Sequence, residues 1–364
     1  MTISSYPIAT IDLSALQYNF QRIKTLVPDS KIMAVIKANA YGHGMVDVAR
    51  ALSASDAFAV ARLSEGISLR QAGIKQPIVI LEGLLSAVDY QQAADYHLSP
   101  VFHDLAQVEI VLNSTLNTPL RFCWLMMETG MHRLGIDESK VGDVINILRH
   151  SPAIVDDIGL MSHFANADNI EDPRNQQQLE QLQYYAELHD CKTSMANSGA
   201  ILSMPNSHGD WLRPGLMLYG ISPFEDQTAA DLNLKTVMQL SSILIAIKTL
   251  KIGDQVGYGG DWVAQQTTQI GIVSIGYGDG YNRQLSPSAS VLIQDKLVVV
   301  LGRVSMDMIA IDLSALERPE LGDKVILWGH DQLSIEQVAK QANTISYELV
   351  CQVSDRVKRV YHHG

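Results

Sequence analysis

The stretch "KANAYGHG" (37–44) sets Lys37 at the end of the apolar run "KIMAVI", with Tyr41, Gly42 and Gly44 following closely. A lysine ending a buried strand is desolvated, which lowers its pKa and frees the amine to form a Schiff base with a carbonyl. The two glycines let the backbone turn tightly away from the strand. Three further segments carry matching groups: "MSHFANAD" holds His163, "ANSGA" holds Ser198, and "RPG" holds Arg213 and Gly215. Singly, each has an ordinary explanation as a satisfied histidine, a helix cap or a surface ion pair. Their common placement after apolar runs is the informative feature.

Those runs cover 31–37, 56–61, 77–83, 98–103, 120–128, 154–165, 192–198 and 211–219, separated by amphipathic stretches such as "DLAQVEIVLNS" and "ESKVGDVINILRHS". About eight strands, each followed by a helix, predict an α/β fold, a TIM-type (β/α)8 barrel whose chemistry collects where strands end and helices begin. A doubly wound open sheet would offer fewer repeats and a Gly-rich dinucleotide turn, which is missing. Barrels commonly bind phosphate in the loops after strands seven and eight, where Ser198 and Gly215 fall. After "ISPFEDQTAADLNL" (221–234) the texture changes to β-branched runs separated by Gly and Asp turns, with only "SIEQVAKQANT" helical in pattern. We therefore expect a barrel over 1–230 and a mostly antiparallel C-terminal β domain over 231–364.

The chain of 364 residues, 47% of them hydrophobic, is long enough to bury a large core in two domains. With 27 Lys and Arg against 39 Asp and Glu, the formal charge is -12 and no basic cluster could follow a phosphate backbone. Nucleic acid and anionic membranes are poor partners for such a surface. No basic residue precedes Arg22, and no apolar run has the length of a signal-peptide core or a bilayer span, which predicts a soluble cytoplasmic protein. Cys123, Cys191 and Cys351 are odd in number and lack CxxC spacing, so they are expected to be buried reduced thiols rather than a disulfide framework or a metal site.

Taken in order, "AVIKANAYGHG", "TGMHRLGI", "SHFANAD", "ANSGA", "LRPGLMLYG", "VGYG", "IGYGDGYNR", "GRVSMDM" and "YELVC" resemble the motifs of the bacterial alanine racemases, across practically the whole chain. The resemblance implies a pyridoxal 5'-phosphate (PLP) enzyme that interconverts L-alanine and D-alanine, working as a homodimer with active sites shared between subunits. It implies that Lys37 holds PLP and is the base on one face of the substrate, while Tyr258 of "VGYG" reaches in from the partner subunit to serve the other. It further implies phosphate contacts from Tyr41, Ser198, Gly215, Leu216 and Tyr347, and Arg213 at the pyridine nitrogen. His163 would lie between Arg213 and the catalytic tyrosine. Arg133 and the backbone at Met306, the latter from the partner, would receive the substrate carboxylate.

Racemisation removes a proton from one side of Cα and returns one from the other, so a base on each face suits it. A tyrosine, whose ordinary pKa is about 10, needs positive neighbours for that role, and Arg213 and His163 would supply them. An always-protonated arginine at the ring nitrogen would leave the ring neutral and restrain the cofactor as an electron sink, limiting side reactions.

Met126 departs from the pattern: it stands seven residues before Arg133, where many members of that family carry a carbamylated lysine that braces the arginine. A thioether carries no charge. A small anion such as chloride, or Glu128, is the expected substitute. Among rivals, a non-catalytic PLP-binding barrel protein normally lacks a second domain. A related PLP decarboxylase carries a Gly-Pro-x-Cys stretch, and this sequence has no Gly-Pro dipeptide. A PLP racemase of another small amino acid, such as serine, fits the same motifs, as do both a peptidoglycan-supplying and a catabolic role.

Overall fold

The structure is a computed structural model that describes residues 6–287 and 289–363. Residues 1–5 of the stretch weighed as a signal peptide, with 288 and 364 of the expected β domain, lie outside the described residues. Strand β1 (Ile8–Asp12) precedes eight strands that close into an all-parallel barrel: β2 (Lys31–Val35), β3 (Ala57–Val60), β4 (Ile78–Ile80), β5 (Ser99–Phe102), β6 (Cys123–Met126), β7 (Ile158–Met161), β8 (Thr193–Ser194) and β9 (Trp211–Leu212). Closure runs through Lys31 and Ile32 of β2 against Trp211 and Leu212 of β9. Every residue of β3, β4, β5 and β7 is buried, as strands covered on both faces must be, and so they read as continuous apolar runs rather than alternating ones.

Side-chain caps set where several of the intervening helices begin. Ser86, Asp104, Asp137, Asp172 and Asn197 each accept a backbone N–H two or three residues on, satisfying donors that a helix start leaves open. At the seventh strand-to-helix turn the cap is Asn197 rather than Ser198, which frees the Ser198 hydroxyl for other partners.

The second sheet has eight strands in the order Thr268–Val273, Ile309–Asp312, Lys296–Leu301, Ser290–Ile293, Lys324–Trp328, β10 (Met238–Leu250), β1 and Lys358–His362. The long β10 also pairs with Thr268–Val273, shifting register between Leu244 and Ala246. All pairs are antiparallel except β1 with Lys358–His362. Two expectations need correction. The span 1–230 is not all barrel, because β1, with alternate residues buried, is seated between β10 and Lys358–His362. Nor is "SIEQVAKQANT" the only helix of the C-terminal part: Ser346–Gln352, expected to be β like the other runs there, is a second one, burying Ser346, Leu349 and Val350 at helical spacing. That helix matters because it lowers Tyr347 and Cys351 onto the barrel mouth.

Candidate active site at the barrel mouth

Directly after β2, Lys37–Tyr41 forms one helical turn of the wrong hand: Ala38, Asn39, Ala40 and Tyr41 have φ of 52, 54, 54 and 51°. Left-handed helix costs L-residues about 1–2 kcal/mol each. The surroundings hold it. Glu65 Oε1 accepts the Ala38 N–H at 2.7 Å, Asn39 Oδ1 accepts the Met45 N–H at 2.8 Å, and Arg359 Nε donates to Gly42 O at 2.7 Å. His43 Nδ1 lies 3.1 Å from Ala40 O and 2.8 Å from Tyr41 O, so the ring carries its proton there. Gly42, at φ 78°, closes the turn where a Cβ would fall 2.0 Å from Val350 O. The buried Tyr41 ring then packs on Tyr219 at 4.9 Å between centroids, and the Tyr219 hydroxyl donates to Val35 O, at the end of β2, at 3.0 Å.

The turn faces a cavity of about 740 Å³ lined by Lys37, Tyr41, Arg133, His163, Ser198, Arg213, Gly215, Leu216 and Tyr347. These residues come from five strand exits and the 346–352 helix. Burial, then the Arg133 guanidinium, lowers the pKa of the Lys37 amine, while Glu82 and Glu65 oppose the shift. Arg213 is 4% exposed and has no carboxylate partner among the described residues. It donates to Ser194 Oγ at 2.7 Å and to Ser162 O, and lies 3.2 Å from His163 Nδ1. Burial and Arg133 push Arg213 down to about 10, a range in which it stays protonated at neutral pH. Burial, then Arg213, Arg133 and Lys37, push His163 down to about 3. His163 is therefore neutral, and the positive field expected of it rests on Arg213 alone. Ser198 Oγ accepts the N–H groups of Gly215 at 3.0 Å and Met217 at 3.2 Å, bringing those backbone donors to one point.

Met126 lines the same cavity. Arg133 forms no ion pair among the described residues, and Glu128 does not reach it: that carboxylate accepts the Gly130 N–H at 2.5 Å and lies 4.0 Å from His132 Nδ1. Tyr258 and Met306 are outside the cavity, on the β domain, 72% and 53% exposed. Sequence reasoning missed Glu65, Glu82, Ser162 and Ser194, whose signals are the ordinary ones of caps and strand ends. It also placed all three thiols in the core. Only Cys123 is buried, Cys191 is half-buried, and Cys351 opens into the cavity near Lys37. Helical spacing from Tyr347 to Cys351, four residues apart, could have revealed that shared face.

A closed parallel barrel with a desolvated lysine and an unpaired buried arginine at its mouth, joined to a β domain that interlocks with its N-terminal strand, defines a two-domain barrel enzyme. Comparison with known proteins narrows the class. The family described as "Alanine racemase, N-terminal domain" matches residues 11–223, and "Alanine racemase, C-terminal domain" matches residues 237–361. The alanine racemase of Nitrosococcus oceani is 46% identical over 98% of this chain and 99% of that one. The crystal structure of the biosynthetic alanine racemase from Pseudomonas aeruginosa superposes with a TM-score of 0.92 at 42% identity, covering 98% of this chain and 99% of the other. The alanine racemase structure from Acinetobacter baumannii gives 0.91 at 42% identity, covering 98% and 100%. The chain belongs to the alanine racemase family. No helix among the described residues is long and apolar enough to cross a membrane.

Proposed function

We propose that this chain is a cytoplasmic PLP-dependent racemase of alanine, and that two copies share each active site. The observation that carries it is the cavity itself: a desolvated lysine faces a buried arginine that has no carboxylate, beside hydroxyl groups and backbone donors able to receive a phosphate. The residues fit the cofactor. The Tyr41 hydroxyl, at the end of a buried ring in the cavity wall, has no hydrogen-bond partner among the described residues. A Cβ at Gly215 would lie 2.6 Å from that oxygen, so the glycine keeps open the space between them.

Lys37 would hold PLP through its amine, and Tyr41, Ser198, Tyr347 and the backbone of Gly215 and Leu216 would receive the phosphate. Arg213 would face the ring nitrogen. When bound, PLP supplies an electron sink that makes the Cα proton of an attached amino acid acidic. The protein does the rest. Lys37, with its pKa lowered by burial, takes and returns a proton at Nζ on one face of Cα. Arg213, held by Ser194 and Ser162, keeps a fixed positive charge at the base of the cavity. Arg133, with its charge unspent, suits the substrate carboxylate.

Tyr258 supplies the opposite face in this proposal, and its exposure is what supports a partner's role: a tyrosine 72% exposed on its own chain is available to a neighbouring barrel. The names of the relatives favour alanine over serine as substrate. Borohydride reduction of the PLP-loaded protein, followed by peptide mapping, should place the pyridoxyl group on Lys37. A label on Lys31 or Lys235 instead overturns the assignment. Mixing inactive Lys37→Ala and Tyr258→Ala subunits should restore part of the activity, since one hybrid site is intact. No recovery after demonstrated subunit exchange rejects the shared site.

A further inference from the structure

We propose that Glu65 is a positioning residue for Lys37, acting through the peptide bond that joins Lys37 to Ala38. Its place on the 63–71 helix, three residues past Arg62, is that of an ordinary capping carboxylate, and one oxygen does that work: Oε2 accepts the N–H groups of Ala61 at 2.8 Å and Arg62 at 3.0 Å. The other oxygen leaves its own strand exit. Oε1 crosses to the mouth of β2 and accepts the Ala38 N–H at 2.7 Å. One carboxylate therefore locks the exits of β2 and β3 together, and the group it grips is the amide fused to Lys37.

That amide is where restraint counts. Ala38 opens the left-handed run, a conformation the chain does not adopt unaided, and the orientation of the Lys37–Ala38 peptide sets the direction in which the lysine side chain leaves the backbone. The remaining hooks, Asn39, His43 and Arg359, act further along the turn. Glu65 does not line the cavity, so it acts on Lys37 and not on a ligand. Glutamine is a poor replacement: all three groups it would face are N–H donors, and its NH2 has nothing to accept it. Aspartate keeps the charge but is one methylene too short to span both exits.

The proposal rests on Lys37 carrying PLP. The test compares two ligands on the full chain, PLP and pyridoxine 5'-phosphate, which has the same ring and phosphate but no carbonyl for the amine to join. In Glu65→Gln and Glu65→Asp, affinity for PLP should fall about tenfold or more, the worth of one charge-assisted hydrogen bond, while affinity for pyridoxine 5'-phosphate stays within about twofold. Equal losses for both ligands mean a general loosening of the cavity and overturn the proposal, as does no loss for either. Should Glu65→Gln fail to fold, the same comparison on Glu65→Asp decides. Absence of a pyridoxyl label on Lys37 in the unaltered protein is a separate result, which removes the cofactor assignment and the proposal with it.

Discussion

His43→Phe should weaken the protein at neutral pH and make it less sensitive to acid. The imidazole is fully buried, stacked on Tyr219 at 4.5 Å, with Nδ1–H shared by the carbonyls of Ala40 and Tyr41 and with Nε2 left without a partner. A proton on Nε2 would find no acceptor. Burial accordingly pushes the pKa down to about 4 against the opposing pull of the two carbonyls, with Arg359 lowering it further. In the unfolded chain the same group titrates near 6.5. Since the folded value is the lower one, the unfolded state takes up the proton first, and stability present above pH 6.5 is lost as the pH falls towards 4. For this one group the loss between pH 7 and pH 4.5 is about 2 kcal/mol. Phenylalanine keeps the stack but strips a donor from Tyr41 O, which costs about 1–3 kcal/mol at pH 7. Urea denaturation of both proteins at one concentration should show that deficit at pH 7 and a gap narrowed by about 2 kcal/mol at pH 4.5. His163 and the carboxylates titrate in both proteins and cancel. A gap of equal size at the two pH values would refute the buried neutral imidazole.

Gly215→Ala should displace the Tyr41 hydroxyl, because its Cβ would fall 2.6 Å from that oxygen while Tyr219 backs the ring. PLP affinity measured by absorbance titration should drop about tenfold, and an unchanged value would count against Tyr41 as a phosphate contact. With Glu128 committed elsewhere, Arg133 is expected to take a small anion as its brace, so replacing chloride by a large inert anion should raise the KM for alanine. Met126→Lys should transfer that sensitivity to bicarbonate. A KM indifferent to chloride would reject the anion.

The barrel was legible because its strands are buried on both faces and its helices are polar on one, a contrast that survives in sequence as alternating texture. Lys37, His163, Ser198 and Arg213 were legible for the same reason, since each follows directly on an apolar run. The helix that carries Tyr347 and Cys351 was not, because its short apolar core "LVC" fits a strand as well as a helix and its packing against the barrel decides; Tyr347 was reached through the family resemblance alone. β1 escaped too: five residues of alternating burial carry no mark of which sheet they join, and their partners lie more than 200 residues away. The left-handed turn had Gly42 and Gly44 as its sign, yet nothing in Ala38, Asn39 and Ala40 announces the hand imposed on them by Glu65, His43 and Arg359.

The seat of β1 has a consequence for how the molecule is made. Ile8 to Asp12 pair in register with Lys358 to His362 on one side and lie against β10 on the other. On a ribosome, the barrel strands 31–212 emerge and can close while both neighbours of β1 are still unmade. The strand must wait through that interval with two bare edges, and its five-residue length limits the damage a stray pairing could do. Only when residues 358–362 clear the exit tunnel can the sheet be sealed. Emergence of that last partner strand, rather than completion of the barrel, is then the event that commits the chain to its final shape, and ribosome-stalled chains ending short of residue 358 should hold a protease-sensitive β1 beside a resistant barrel.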